Sequence, residues 1–317
     1  MYDSVNFKLK NTEVSGIDFL DETPQYLDTI TGEHNFNGEA VITGKLDNFS
    51  ITVNRGGINI KDGSLCKYYL GDNFKTLGRS ETKRAIEQLS DTLHLPIEQA
   101  QVTRLDIAQN FIVKQTVQVY FNHFGELKHG GRSPVTRDGE TEGIYYYQSR
   151  GLLVFYDKIK EQQAKRQPIP ELYQNRNVLR YEQRYKGRLS KSFNVERVTA
   201  QMLFDEAFYI KVIDLWKDSY FNIKKINDIT LNFEAMKGKK DLYVMGLLSL
   251  IESQGGELSV ITQINEAYKT GQLARRQADE MKLAVRESCK VKEGFTAPND
   301  AILELDKKVK DAVKYYR

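Results

Sequence analysis

The amino-acid sequence predicts an α+β protein: an antiparallel sheet or sheets with helices packed on one face, followed by an all-helical C-terminal module. Short β-branched and aromatic runs bounded by Gly, Asp and Asn dominate the first half of the chain. After about Phe233, apolar residues recur at helical spacing and no strand pattern intervenes. We therefore predict two domains, residues 1–232 and 233–317. The order of elements in the first domain is compatible with two related α/β halves, although the sequence contains no repeat.

The length and composition indicate a globular protein. The chain has 317 residues, of which 40% are hydrophobic, enough to bury a substantial core. Its 46 Lys and Arg nearly balance 43 Asp and Glu, so the net charge of +3 neither requires nor excludes nucleic acid. No apolar run approaches the ~20 residues that cross a bilayer, and the N-terminus has no signal-peptide pattern. We expect a cytoplasmic protein without membrane contact, in which Cys66 and Cys289 are reduced and structural.

The elements follow from local patterns taken in chain order. A meander of short strands is predicted over 40–43, 49–54, 57–61 and 66–70. The next elements are a helix capped by Ser80 and reaching Leu93, a strand over 102–113 and a helix over 116–124. The polar stretch 128–142 predicts a loop. The remaining elements of the first domain are a hairpin of 143–147 with 152–156, a helix over 158–166 and a strand over 178–186. The C-terminal helices are predicted over 241–253, 258–270, 275–290 and 298–316.

Three of these segments carry polar groups that an ordinary strand would lack. Strand alternation places Asp106 on the same face as Arg104, and Glu182 on the same face as Arg180. Carboxylates on neighbouring strands can hold a hard cation such as Mg²⁺, beside which Tyr156 could attack a phosphodiester. Composition and pattern alone favour a structural network of ion pairs with an interfacial tyrosine over this catalytic interpretation.

In their order and spacing, three segments resemble the gene II and gene X replication proteins of filamentous phages and their plasmid relatives. They are 103–106 (TRLD), 152–161 (LLVFYDKIKE) and 178–186 (VLRYEQRYK). The resemblance extends to 69–74 and 189–193, and so covers about 44–221. The chain is also similar to replication proteins of mobile elements from gut bacteria related to Bacteroides.

The resemblance implies a rolling-circle replication initiator that cuts and rejoins one strand of origin DNA. The nicking tyrosine falls on Tyr156, which would form a 5′-phosphotyrosine and leave a free 3′-hydroxyl. Lys158 and Glu161 match the positions after it, and Lys158 would stabilise the pentacoordinate phosphate or protonate the leaving oxygen. Asp106 and Glu182 would hold Mg²⁺ or Mn²⁺. Arg104, Arg180 and Arg184 would position the DNA backbone or tune the carboxylates. Lys186 and Arg150 are further residues expected to bind DNA.

Some features leave alternatives open. The sequence has no His-hydrophobe-His metal motif, and His129 is the histidine closest to qualifying as a ligand. A non-catalytic origin-binding or copy-control protein on the same fold is the competing interpretation. For the C-terminal helices, packing on the first domain ranks above DNA contact and dimerisation. The expected partners are origin DNA, single-stranded or supercoiled, a host helicase or polymerase, and a second protomer. Either that protomer or another tyrosine of the chain would supply the nucleophile for the second cleavage.

Overall fold

The computed structural model describes residues 1–36, 38–137, 139–230, 232–234 and 236–317. The strands are β1 (Tyr2–Lys10), β2 (Thr29–Phe36), β3 (Glu39–Leu46), β4 (Phe49–Asn54), β5 (Gly57–Lys61), β6 (Gln101–Val113), β7 (Phe124–Leu127), β8 (Gly131–Arg137), β9 (Glu140–Gln148), β10 (Gly151–Asp157), β11 (Asn177–Lys186), β12 (Ile223–Lys225), β13 (Asp228–Ile229) and β14 (Thr296–Ala297). The helices are α1 (Phe19–Glu22), α2 (Leu65–Leu70), α3 (Arg79–Leu93), α4 (Val117–Asn122), α5 (Lys158–Ala164), α6 (Leu189–Phe193), α7 (Glu206–Phe221), α8 (Lys239–Ser253), α9 (Glu257–Lys269), α10 (Arg275–Lys290) and α11 (Asp300–Tyr316).

Ten strands form one antiparallel sheet in the order β2-β3-β4-β5-β1-β6-β11-β10-β9-β8. In each half, the strand that comes first in the chain lies at the centre and the others follow outward in reverse chain order. One half runs β1, β5, β4, β3, β2, and the other runs β6, β11, β10, β9, β8. The predicted α+β class is confirmed, and the equal strand order agrees with two related halves.

The N-terminal strand β1, absent from the predicted elements, lies at the centre of the sheet between β5 and β6. Its alternate residues Val5, Phe7 and Leu9 are buried, because a strand sends every second side chain to one face. This strand lies where the two halves meet, and one of its residues contributes to the candidate functional site.

The strand predicted over 66–70 was wrong, because these residues form helix α2. The Ser64 side chain accepts a hydrogen bond from the Lys67 amide at the helix N-terminus. At the other end, Gly71 adopts a left-handed conformation with φ of 83°, which glycine takes without steric cost. These two caps outweigh the strand tendency of the two aromatic residues in the segment, Tyr68 and Tyr69.

The loop predicted over 128–142 was also wrong in part, since it contains β8 and the start of β9. Most residues of β8 are exposed, and this edge strand therefore lacks the alternation of apolar and polar residues that marks a half-buried strand. The β8–β9 hairpin extends the sheet beside the candidate site.

Helix α7 covers one face of the sheet through stacked aromatic side chains. The Tyr181 ring of β11 lies between Phe155 of β10 and Trp216 of α7, with centroid distances of 4.6 and 4.8 Å. The Tyr181 hydroxyl donates to the backbone oxygen of Trp216 at 3.0 Å. Since side chains alternate along β11, this packing turns Glu182 and its neighbours to the opposite face.

The C-terminal helices divide between two clusters. Leu305, Val309 and Val313 of α11 lie in the main core, whereas α8 contributes Met245 and Leu248 to a small separate cluster with Phe295. The expectation that C-terminal helices pack on the first domain is confirmed for α11, while the domain boundary near Phe233 stays a prediction. In the described part of the chain, no helix combines the length and apolar character needed to cross a membrane.

Candidate functional site

The three sequence motifs meet on one face of three adjacent strands, β10, β11 and β6. Tyr156 pairs with Arg180, and Arg184 pairs with Asp106. Glu182 lies between the two arginines on β11, and strand alternation sends all these side chains to the face opposite the aromatic core. We call this surface the site face. It has a buried end around Arg180 and an open end around Arg184.

Glu182 is the centre of the site face. Its Oε1 accepts a hydrogen bond from Arg184 Nε at 2.9 Å, and its Oε2 accepts one from the Tyr156 hydroxyl at 3.4 Å. Burial opposes ionisation of this carboxyl group, but Arg180 and Arg184 outweigh it and hold its pKa below the usual range. Glu182 is therefore a carboxylate at neutral pH.

Asp106 lies on β6, diagonally from Glu182, and is completely buried. Arg104 Nε donates to both of its carboxylate oxygens, at 3.0 and 3.1 Å. Burial is the main influence on its pKa, which rises to about 7, and the nearby negative charge of Glu182 adds to the rise against the effect of Arg104. The two carboxyl groups therefore differ: Glu182 is ionised and Asp106 titrates near neutrality.

The buried end is held by a residue that the sequence interpretation missed, Asp3 of β1. Asp3 forms an ion pair with Arg180, whose side chain has no exposed surface. Arg180 Nη1 also donates to the Asn73 backbone oxygen at 3.0 Å and to Asn110 Oδ1 at 3.2 Å. Its Nε has no hydrogen-bond partner among the described residues and lies 3.6 Å from Glu182 Oε2. The sequence did contain a signal for this residue, because Asp3 is an acidic residue in a segment, 2–9, where apolar residues alternate with polar ones.

Arg180 was expected to position DNA or tune the carboxylates, and its complete burial fits the second role. It pairs across the strands with Tyr156, whose side chain is half-buried in the site. Burial raises the pKa of Tyr156 well above the usual value, while the positive charge of Arg180 opposes that rise. Tyr156 is therefore protonated at neutral pH, with Glu182 as its hydrogen-bond acceptor.

Lys158 and Glu161 form a second cluster at the start of α5. Lys158 Nζ is buried and donates to Glu161 Oε2 at 2.8 Å and to Asn73 Oδ1 at 2.9 Å. Burial and the charge of Arg180 lower the pKa of Lys158 to about 8. Burial disfavours ionisation of Glu161, yet Lys158 and Lys165 together more than offset it and lower the pKa of Glu161 to about 2. These contacts hold the segment 73–74 against Arg180. The Lys158 amine therefore donates its hydrogen bonds to Glu161 and Asn73 and not to Tyr156.

The open end carries the cations that reach solvent. Arg104 and Arg184 each expose 24% of their side chains, and Lys186, paired with Arg104 across the strands, is exposed. Arg150 is exposed on the β9–β10 turn, where it bonds the Lys191 backbone oxygen at 3.4 Å. These positions can meet phosphate groups, whereas Arg180 cannot do so in this arrangement.

A cavity of about 410 Å³ adjoins the Tyr156 side chain. Its walls come from the site face, the β8–β9 hairpin and α5. The positively charged residues that line it are Arg137, Lys160, Lys165 and Arg184, and the acidic ones are Glu142, Asp157 and Glu161. The cavity is large enough to admit part of a DNA strand to the tyrosine.

The residues predicted to bind a divalent cation are Asp106 and Glu182, and this stays a prediction. Across residues 1–36, 38–137, 139–230, 232–234 and 236–317, no group of three or more His, Cys, Asp or Glu side chains could hold a metal ion. His129 lies in the exposed turn before β8 and joins no such group. Two carboxylates with water and substrate phosphates are nevertheless a common set for Mg²⁺. Arginines bond both carboxylates in this structure, so Arg104 and Arg184 would have to release carboxylate oxygens before such an ion could bind.

The first two thirds of the chain match a known protein family. Residues 1–203 match the family model for the N-terminal region of the phage replication-associated protein encoded by gene II. No curated protein matches the chain significantly. The matched range contains every motif of the site face, from Asp3 to Lys186. The chain therefore belongs to the filamentous-phage gene II family of replication initiators.

Proposed function

We propose that the protein starts rolling-circle replication by nicking one strand of origin DNA and later rejoining it. The observation that carries this proposal is the contact between the Tyr156 hydroxyl and Glu182, at the wall of a cation-lined cavity. A nucleophile, an acceptor for its proton and positive charge for a phosphate thus lie together.

In the proposed step, the Tyr156 oxygen attacks a backbone phosphorus while its proton passes to Glu182 Oε2. A new O–P bond joins Tyr156 to the phosphate, which stays on the 5′ end of the cut strand, and the P–O3′ bond breaks. The leaving 3′-oxygen takes up a proton from solvent water, to which Glu182 gives up the proton that it received from Tyr156. No net hydrolysis occurs, so attack by a 3′-hydroxyl on the phosphotyrosine reverses the reaction and rejoins the strand. The Arg180 charge stabilises the phenolate that develops during attack.

Arg184 and Arg104 act on the phosphate itself. Both guanidinium groups are partly exposed and now bond Glu182 and Asp106. A DNA phosphate offers them a second acceptor of the same charge and geometry. If Arg184 moved its hydrogen bonds to the phosphate, Glu182 would lose a neighbouring positive charge and its proton affinity would rise. Glu182 would then accept the Tyr156 proton more readily.

The same exchange would leave Asp106 and the other Glu182 oxygen, Oε1, free to hold Mg²⁺ or Mn²⁺, while Oε2 stays bonded to the Tyr156 hydroxyl. Such an ion would polarise the scissile phosphate when bound. Lys158 and Glu161 act as positioning residues, because Asn73 bonds both Lys158 and Arg180.

A second candidate function is non-catalytic origin binding. The pairing of both carboxylates with arginines favours it, since such a network could be purely structural. Both candidates predict DNA binding, and they differ in whether a covalent adduct forms.

The test uses a supercoiled plasmid carrying DNA from the replicon that encodes the protein. With Mg²⁺ or Mn²⁺ present, we expect relaxed product and a protein–DNA adduct that survives detergent. Tyr156→Phe removes only the hydroxyl and should abolish both, while Tyr147→Phe, a matched change on the neighbouring strand, should retain them. An adduct in undiminished yield from Tyr156→Phe would overturn the assignment of the nucleophile. Binding without any adduct from the unaltered chain would favour the non-catalytic function.

A further inference from the structure

Three consecutive tyrosines on β9, at positions 145–147, lie in different environments. Tyr146 is completely buried in the aromatic core, where its hydroxyl donates to the Gly125 oxygen at 2.7 Å. Tyr145 and Tyr147 lie on the site face instead, and Tyr147 has 57% of its surface exposed. Aromatic side chains on strands usually pack in a core, so two of them on an open, charged face indicate a partner with an aromatic or apolar surface.

The Tyr145 ring lies next to the nucleophile because a glycine leaves it room. Gly143 pairs with Tyr156 across β9 and β10. A Cβ atom at Gly143 would stand 3.3 Å from Tyr145 Cε1, 3.4 Å from Tyr156 Cβ and 2.8 Å from the Phe155 oxygen. The bare backbone thus lets the ring fold over position 143 toward Tyr156. Tyr145, Tyr156 and Arg184 consequently line the same cavity.

The charges around this ring indicate the chemistry of the occupant. Four cations outnumber three acids in the cavity wall: Arg184 comes from the sheet, Arg137 from β8, and Lys160 and Lys165 from α5, beside Glu142, Asp157 and Glu161. Aromatic rings for stacking beside cations for phosphates are typical of surfaces that bind single-stranded nucleic acid. The bases within a duplex stack on one another and cannot offer a free face to Tyr145, so this ring fits an unpaired nucleotide better than a duplex.

We propose that this cavity is a nucleobase subsite, in which the Tyr145 ring stacks on a base of single-stranded DNA. Its place beside the scissile phosphate rests on the proposed function of Tyr156, whereas base stacking itself does not require cleavage. The subsite would select melted over paired DNA at the point of attack. It would also fix the distance between one base and the phosphate that Tyr156 reaches.

The experiment measures binding without cleavage, in the full chain carrying Tyr156→Phe. The probes are a fluorescent oligothymidylate of about 20 nucleotides, longer than one single-strand binding site, and an abasic oligomer of the same length and charge. Adding Tyr145→Ala should weaken oligothymidylate binding about 5- to 150-fold, the range for loss of one stacked base, and leave abasic binding unchanged. Tyr145→Phe keeps the ring and should bind like the parent. Tyr268→Ala, a matched loss of a partly exposed tyrosine on α9, should also bind like the parent.

Equal losses on both probes, or no loss on oligothymidylate, would overturn the subsite. If Tyr145→Ala unfolds, photocrosslinking of the unaltered chain to an oligonucleotide containing 5-iodouracil takes its place. The crosslinked peptide should contain Tyr145, and crosslinks confined to other regions would overturn the proposal. Base-dependent binding by Tyr145 in a chain that never forms a DNA adduct would retain the subsite and reject only the nicking function.

Discussion

Arg180 and Arg184 flank the same carboxylate on the same strand, yet their surroundings are opposite. Arg180 is sealed at the buried end with Asp3, while Arg184 keeps 24% of its side chain exposed beside the cavity. A fully buried charge depends on its partners, whereas a partly exposed one can exchange its partner for water or phosphate. One arginine is thus built into the fold and the other is available to a substrate, although the sequence pattern around them is similar.

The largest expected effect is at the buried end. Arg180→Met should lower the free energy of unfolding by about 3–5 kcal/mol, because it leaves the Asp3 carboxylate buried without its partner. Arg184→Met should cost clearly less, since Arg184 is partly exposed and Glu182 would keep the positive charge of Arg180 beside it. Urea unfolding of both variants measures the difference.

The matched control is the double variant Asp3→Asn with Arg180→Met. It removes both charges and should recover part of the stability lost in Arg180→Met alone. Equal costs for Arg180→Met and Arg184→Met would contradict the distinction between the two ends.

A smaller effect is expected from Asp106, and it depends on pH. The pKa of this carboxyl group is raised from 3.8 to about 7, so the folded protein holds the proton more tightly than the unfolded chain does. The unaltered protein should therefore lose stability relative to Asp106→Asn as pH rises from about 4 to 7. We expect a relative change of at least about 1 kcal/mol, since one pKa unit corresponds to ~1.4 kcal/mol. Thermal or urea unfolding at several pH values measures it, and parallel pH profiles would argue against a buried, titrating Asp106.

The smallest effect on stability, but a clear one on DNA, is expected from Arg184→Ala. Loss of one phosphate contact should reduce the slope of log affinity against log salt by about 0.7 for single-stranded DNA. Arg286→Ala, an exposed arginine on α10, is the matched control and should leave the slope unchanged. Anisotropy titrations over a range of KCl concentrations measure both, and an unchanged slope for Arg184→Ala would remove it from the DNA-binding surface.

The sequence interpretation succeeded where strand alternation alone decides the outcome. The alternation in 102–113 and 178–186 correctly predicted on which face of the sheet Asp106 and Glu182 lie, because successive side chains along a strand point to opposite faces. It failed at 66–70, where the caps at Ser64 and Gly71 favour a helix. It also failed at β8, where an exposed edge strand carries no apolar alternation to recognise.

The sequence by itself determined the set of chemical groups, which are a tyrosine, two carboxylates and several cations. It also determined which of those on strands share a face of their strand. Only the tertiary structure decided which of them share a partner. Strand β1 comes from the far end of the chain and is inserted beside β6, which brings Asp3 to Arg180 across 177 positions. The same packing separates the sealed Arg180 from the open Arg184. The physical reason is that burial and pairing depend on neighbouring strands, whereas alternation is a property of each strand alone.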